Sequence, residues 1–287
     1  MSSKSFFNKN TLNYLKVNNI YNILLLLPVK IENQSIENII SKGIWYHSFE
    51  HNGLKSKGTF DYTEIINKLN LPNLDNLSVL DVGCSDGFFS IYFLKHLNAK
   101  KVTGVDVNQY DGTVAFEVLD SYRDSYIEKY DSRNDFNDLY DDYTNLGLND
   151  PNKFNFLKKI TGLNMKFISG SIYNLQKIES HDVTFCGSLL EHLRDPISAI
   201  EQLYYKTEKF CIIDISNTIS NKYINIYKPY LKYTNTGGNF YQYSEKAIKL
   251  MMKNIGFKNV ETLKRYRIKI EKYGYKIPHS IVIGYKT

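Results

Sequence analysis

The chain is poor in several features that would place it at once. It has three cysteines, Cys84, Cys186 and Cys211, spaced too widely for a metal knuckle, and each falls in or beside an apolar stretch of strand type. They read as reduced core thiols. The longest apolar run, Ile23–Leu27, stops at Pro28, far short of the ~20 residues that a membrane span needs. No cationic leader or small-residue cleavage site accompanies it, so a cytoplasmic protein with no membrane partner is expected. Charge of one sign is scarce too: 36 basic against 30 acidic residues leave a formal +6. That excess is spread widely and residues 111–150 are acidic, which permits nucleic-acid binding without favouring it. The six histidines are scattered and no acid pair stands at ligand spacing, so no metal centre is expected. Internal repeats and low-complexity linkers are absent from the sequence as well.

What is present is apolar material, 43% of 287 residues, enough to bury one large core. The informative stretch is Leu77-Ser-Val-Leu-Asp-Val-Gly-Cys-Ser-Asp-Gly-Phe-Phe-Ser90. Val79–Val82 runs as a buried strand, Gly83–Gly87 breaks it, and Phe88–His96 has helical apolar spacing. Glycine at 83 and 87 lets the backbone turn off the strand and lets a ligand lie against the amides that open the next helix. A second strand, Lys101–Val107, carries Asp106 at its tip, twenty-five residues after Asp81. An acid roughly 20 residues beyond a glycine turn is placed to hold ribose hydroxyls, so the pair describes an adenosine site. The second glycine of Gly-x-Gly-x-x-Gly is missing, since Ser85 stands there, so a pyrophosphate is not the expected ligand.

Val79-Leu-Asp-Val-Gly-Cys-Ser-Asp-Gly-Phe-Phe-Ser90 resembles the first motif of class I S-adenosylmethionine-dependent methyltransferases. The resemblance implies a doubly wound, mostly parallel seven-stranded α/β sheet with a reversed C-terminal hairpin, and S-adenosylmethionine as cofactor. It places Asp81 near the methionine ammonium and Asp106 at the ribose, with Gly83, Cys84, Ser85, Gly87 and Val107 around them. After the third strand, Met165–Ser169, it sets Ser171 and Ile172 at the adenine. The fourth strand, His181–Cys186, leads into Gly187-Ser-Leu-Leu-Glu-His-Leu-Arg-Asp-Pro196, where Gly187 borders the cofactor. Leu-Glu-His-Leu-x-Asp-Pro is frequent across the class.

Gly43–Asp61 holds the only tryptophan, two histidines and three glycines, too irregular for a regular element and too aromatic for a plain loop. Trp45, His47, Gly53, Gly58, Phe60 and Asp61 are similar to an arm found before the first motif in relatives of the tRNA wobble-uridine carboxymethyl transferases, where it forms a short hairpin over the cofactor and shapes the acceptor pocket. That likeness makes Trp45, Tyr46 and His47, with Tyr241, candidate substrate contacts. In those tRNA enzymes a tyrosine at the place of Glu191 helps hold the cofactor's extra carboxylate. Glutamate would repel that anion, so ordinary S-adenosylmethionine and a plain methyl group are expected. The small-molecule relatives then offer the leading reading: O-methylation of a sugar or a nucleotide-activated precursor of a surface glycan or metabolite. A tRNA modifier and a non-catalytic binding protein are the alternatives.

Residues 1–62 read as a helical extension and covering arm, with helical pieces around Thr11–Leu27 and Ile31–Ile40 that could cap the sheet or mediate a homodimer. Residues 63–287 read as the catalytic domain, with an insertion at about 110–155. A helix is expected from Asp61 to Leu69, a crossover helix from Asn155 to Leu163, another helix from Ile197 to Tyr205, and a fifth strand at Phe210–Ile215. Ser216–Asn239 reads as irregular cover for the acceptor side. Glu245–Ile255 is a helix capped by Ser244 and closed by Gly256, before two last strands, Val260–Arg267 and Ser280–Tyr285. Methyl transfer from sulfonium needs alignment and exclusion of water first, and a base only for a poor nucleophile. His192 is the first candidate for that base, Glu191 the second as an orienting carboxylate, and His47 the third.

Overall fold

Alternate residues of Ser78-Val-Leu-Asp-Val82 serve two different cores, as expected of a strand covered on both faces. Val79 joins Phe89, Phe93, Phe185 and Ile212 on one side, while Leu80 and Val82 join Ala199, Ile200, Leu203, Ile248 and Met252 on the other. Each fully buried Leu, Ile or Phe of these layers contributes ~1.5–3 kcal/mol, so the sheet is held chiefly by the helices that sandwich it.

The computed structural model describes residues 36–43, 45–107, 151–216, 219, 226–236, 239–270, 274 and 276–287. Two compact units are distinguished, residues 1–43 and 44–287. In the first, α1 (Ile36–Lys42) carries an acid in its first turn and Lys42 in its last, matching the helix dipole. The helical piece expected at Thr11–Leu27 and the insertion up to residue 150 lie outside the described residues.

The larger unit opens with β1 (Trp45–His47), β2 (Glu50–His51), β3 (Leu54–Lys55) and β4 (Gly58–Asp61). It continues through β5 (Ser78–Val82), α2 (Phe88–His96), β6 (Lys101–Asp106), α3 (Pro151–Thr161), β7 (Met165–Ser169) and β8 (His181–Gly187). It ends with α4 (Pro196–Lys206), β9 (Thr207–Ser216), β10 (Leu231–Thr236), β11 (Asn239–Tyr243), α5 (Glu245–Ile255), β12 (Val260–Ile270) and β13 (Lys276–Tyr285). The main sheet runs β1-β4-β12-β13-β9-β8-β5-β6-β7. Strands β7, β6, β5, β8 and β9 are mutually parallel, and β12 and β13 form the antiparallel hairpin expected at the C-terminus. The chain winds outward from β5 to β7, then returns to β8 on the other side of β5. Ligands of such sheets bind where that reversal opens a crevice at the carboxyl edge.

Helix ends follow their chemistry. Asp195 caps α4 through the Ser198 amide, Ser244 caps α5 through the Ala247 amide, and Gly256 ends α5 with φ of 132°. Three sequence expectations are corrected. The aromatic arm is regular: about Asn52-Gly53, β2 and β3 form the short hairpin that its likeness implied, and beyond that expectation β1 and β4 pair in parallel, with β4 adding both to the sheet beside β12. The seven expected strands are thereby joined by two more at one edge. Asp61–Leu69 is not an α-helix, because Asp61 ends β4 and a single 3-10 turn at Ile66–Lys68 follows. Within Ser216–Asn239, Leu231–Thr236 is a strand paired with β11.

Candidate functional site

The glycine turn after β5 is built from left-handed residues: Gly83 has φ of 80°, Ser85 47° and Gly87 87°. A Cβ on Gly87 would also come 2.8 Å from the Phe154 ring, so this position needs glycine for both conformation and space. The turn is pinned to β6 at two levels. Gly83 N–H donates to the Val105 carbonyl at 2.8 Å, and Ser85 N–H donates to Asp106 Oδ2 at 2.7 Å. Asp106 Oδ1 accepts from the Val107 amide at 2.8 Å, and Gly170 N–H donates to the Asp106 carbonyl at 2.9 Å. Asp106 therefore joins the glycine turn to the start of the Gly170–Ile172 segment. Each of its oxygens keeps a second lone pair for an incoming hydroxyl.

Asp81 is buried on the α2 face of β5 and accepts a hydrogen bond from Ser90 Oγ at 2.6 Å. Burial pushes its carboxyl up to about 7, with Ser90 opposing and the charge of Asp106 adding to the rise. Burial likewise pushes Asp106 up to about 7 against the pull of the Ser85 and Val107 amides. Two acids held this high, beside a glycine turn, fit a ligand that brings positive charge and hydroxyl donors. An adenosyl sulfonium with an ammonium tail has both, and a pyrophosphate has neither.

Asp86, in the same turn, is held by the arm. His47 Nδ1 lies 2.7 Å from Asp86 Oδ1 and the His47 amide donates to Oδ2 at 2.9 Å. Against the cost of burial, the His47 ring and amide hold Asp86 below the ordinary carboxylate range. His47 also stacks on Phe88 at 5.0 Å. Trp45 is buried and meets Phe49 edge-on at 4.7 Å, and Tyr46 is half-buried against Phe60 at 4.9 Å. Cys84 is buried in the turn, and its thiol is pushed up by burial, then by Asp106 and Asp81. All three cysteines are buried and free.

The turn after β8 follows the strand that neighbours β5 in the sheet. A Cβ on Gly187 would fall 2.9 Å from the Phe185 ring. Glu191 is buried, with Oε1 accepting from Ser216 Oγ at 2.8 Å. His192 is half-buried, and its amide donates to the Leu189 carbonyl at 2.9 Å. Tyr241 is half-buried and donates to the Arg194 carbonyl at 3.2 Å, while Tyr243 donates to the Leu190 carbonyl at 3.0 Å. Ser171 spends its hydroxyl on its own turn, accepting from the Tyr173 amide at 3.3 Å, and Ile172 is buried next to it.

Sequence reasoning missed a second polar cluster. Tyr266 donates to Asp214 Oδ2, and His279 Nδ1 lies 3.3 Å from Asp214 Oδ1 and 3.3 Å from the Tyr266 hydroxyl. Tyr62 reaches the Tyr266 hydroxyl at 3.5 Å. Register puts Asp214 opposite Gly187 and His279 opposite Ser216, so the cluster sits at the level of the turn after β8. A single signal was available: Asp214 is a lone acid inside the apolar run Phe210–Ile215. Among the described residues no group of three or more His, Cys, Asp or Glu is arranged to hold a metal ion, and no helix is long and apolar enough to cross a membrane.

Comparison with known proteins agrees with this geometry. A family model described as a methyltransferase domain matches residues 56–262, well over half of the chain. No curated protein matches. Among solved structures, the N-terminal domain of EvdMO1 with SAH and D-fucose is 12% identical, with a TM-score of 0.51 over 84% of this chain and 91% of its own. The same domain with SAH bound has a TM-score of 0.51 and 12% identity, covering 99% of both chains. A Burkholderia thailandensis 1,6-didemethyltoxoflavin-N1-methyltransferase is 13% identical over 74% of this chain and 72% of its own, with a TM-score of 0.47. At such identities the likeness is one of fold, while the family match, the glycine turn and the two raised acids bear on the chemistry. The chain belongs to the methyltransferase-domain family and is a class I methyltransferase that uses S-adenosylmethionine.

Proposed function

We propose that the protein methylates a hydroxyl of a small molecule, such as a sugar or a nucleotide-activated precursor of a surface glycan or metabolite. The observation that supports a hydroxyl acceptor is the buried Asp214–His279–Tyr266 cluster level with Gly187. An alcohol is a poor nucleophile and must give up its proton as the new bond forms. When bound, S-adenosylmethionine supplies a methyl group activated by a positively charged sulfur.

Asp106 would hold the adenosine end, with the side-chain-free backbone at Gly83 and Gly87 letting it lie close to the turn, and Asp81 would receive the ammonium. Ser171 and Ile172 border the adenine. The turn after β8 would position the acceptor oxygen for in-line displacement at the activated methyl group. The acceptor proton passes to an imidazole, His192 on the turn itself or His279 braced by Asp214. His47 is the third candidate; its Nδ1 is engaged by Asp86, which leaves Nε2 for such a role. Trp45 and Tyr46 support the arm that shields the crevice from water, and Tyr241 borders the acceptor side.

The test is a methyl-label transfer screen against nucleotide-linked sugars, other activated metabolites and unmodified tRNA. Label on a sugar hydroxyl supports the reading. Label on tRNA, lost steeply as salt rises, would replace it with the wobble-uridine alternative. Failure to bind S-adenosylmethionine in calorimetry would leave a non-catalytic binding protein.

A further inference from the structure

Glu191 carries a buried carboxylate oxygen that nothing among the described residues satisfies. The residue is 4% exposed, its Oε1 accepts from Ser216 Oγ at 2.8 Å, and its Oε2 has no hydrogen-bond partner. Three residues earlier on the same turn, Ser188 Oγ is also buried without a partner. Ser188 is held in the left-handed region with φ of 49°, and its amide donates to the Asp214 carbonyl at 2.8 Å. Native proteins leave few buried polar atoms unpaired, because the desolvation cost is not recovered. Two on one turn, at the carboxyl edge where the sheet reverses, mark the place of a ligand that brings donors with it.

Position decides which ligand. Glu191 is tied to Ser216 at the end of β9, whereas Asp106, the ribose acid, ends β6; β8 and β5 lie between them. The adenosine side of the crevice is therefore at β5 and β6, and Glu191 stands on the far side. The surroundings are acidic. Asp81, Asp86, Asp106 and Asp214 are all buried at this edge, and no lysine or arginine is buried among the described residues.

We propose that Glu191 is the acceptor-recognition residue: its free oxygen, with the Ser188 hydroxyl, takes O–H or N–H donors of a polyhydroxylated or amino-bearing acceptor. It turns away acceptors that bring a carboxylate or phosphate to that point. The inference rests on the small-molecule reading above and narrows it to acceptors whose reacting end is neutral or cationic. A nucleotide-linked sugar qualifies only if its phosphates stay outside the turn.

The experiment compares the wild-type protein with Glu191→Gln on two probes that differ at one end, UDP-glucose and UDP-glucuronic acid, and reads label transfer, acceptor KM and S-adenosylmethionine affinity. A lost charge-assisted hydrogen bond corresponds to a roughly 10- to 150-fold rise in acceptor KM. The expected result is such a rise for the neutral sugar, reduced discrimination against the uronate, and cofactor affinity within about threefold of wild type. An unchanged KM, or a loss of cofactor affinity as large as the rise in KM, overturns the proposal, the second by moving Glu191 to the cofactor. Thermal unfolding of the ligand-free protein gives a readout that needs no acceptor. A carboxylate kept for a ligand is a burden on the empty fold, so Glu191→Gln should hold or raise Tm; a fall of several degrees means that Glu191 is structural and sinks the idea. If neither sugar is labelled while cofactor binds, the small-molecule reading is what fails, and the Tm comparison still decides the role of Glu191.

Discussion

His47 grips Asp86 twice, once through the ring at 2.7 Å and once through its own amide at 2.9 Å, so a strand of the arm is fastened directly to the glycine turn. Both residues are buried. Removing one partner strands the other without solvent, which typically costs ~3–5 kcal/mol. We predict that His47→Ala and Asp86→Ala each destabilise by about that amount, and that the double variant costs far less than their sum. Urea unfolding in a double-mutant cycle measures the coupling, and additive losses would show that the latch is idle. Because Asp86 lies below its unfolded value, its contribution is present above about pH 4 and is lost as pH falls through the folded value.

Asp81 and Asp106 have the opposite sign. Both are pushed up to about 7 by burial. Between roughly pH 4 and 7 the folded protein binds more protons at these sites than the unfolded chain does, so their effect on ligand-free stability worsens as pH rises through that window. A cationic cofactor prefers the ionised acids. Its affinity should therefore climb with pH from 6 to 8, by up to about tenfold per unit below 7 for each acid, with protons released on binding. Calorimetry in buffers of different ionisation enthalpy counts those protons, and a flat profile would contradict the assignment. Asp106→Ala should weaken cofactor binding by about one to two orders of magnitude, since two charge-assisted hydrogen bonds of roughly 1.5–3 kcal/mol each are partly lost.

His192→Ala and His279→Ala separate two of the three candidate bases. General base catalysis contributes about 10²–10⁴-fold. The variant that removes the true base should lower kcat within that range, leave cofactor affinity within about threefold, and abolish the rise of rate with pH. Should both profiles keep that rise, the acceptor needs no base from either residue.

Gly58 and Gly53 make a matched pair in the arm. A Cβ at 58 would lie 2.1 Å from the His47 carbonyl carbon and 2.3 Å from the Ser48 nitrogen, whereas a Cβ at 53 meets nothing within 4 Å. Gly58→Ala should cost at least the ~1–3 kcal/mol of an overpacked site and loosen His47 from Asp86. Gly53→Ala should cost only the ~1–2 kcal/mol of a left-handed backbone. Denaturant midpoints of the two variants test the contrast, which equal losses would remove.

The elements read most closely from sequence are those specified by near neighbours. Phe88–His96 and Glu245–Ile255 fall where periodicity and end residues put them. The turn around Gly83 and the acid at 106 also follow from local pattern, because each is marked by residue type within its own segment, glycine where the backbone turns and an acid at a strand's tip. The arm escaped because β1 and β4 are only three and four residues long and pair with each other across the intervening hairpin, a spacing that no two-residue alternation reveals.

The sequence alone determined that a strand, a glycine turn, a helix and a second acid-tipped strand would form, the elements on which the proposed cofactor site rests. The polar groupings on the proposed acceptor side were decided by tertiary structure. Asp214 meets Tyr266 and His279 across 52 and 65 residues of chain, and Asp86 meets His47 across 39. The physical reason is register: which side chains on β9, β12 and β13 share a level depends on how whole strands pair to bury their apolar faces, and a slip of one residue would turn each of them to the opposite face.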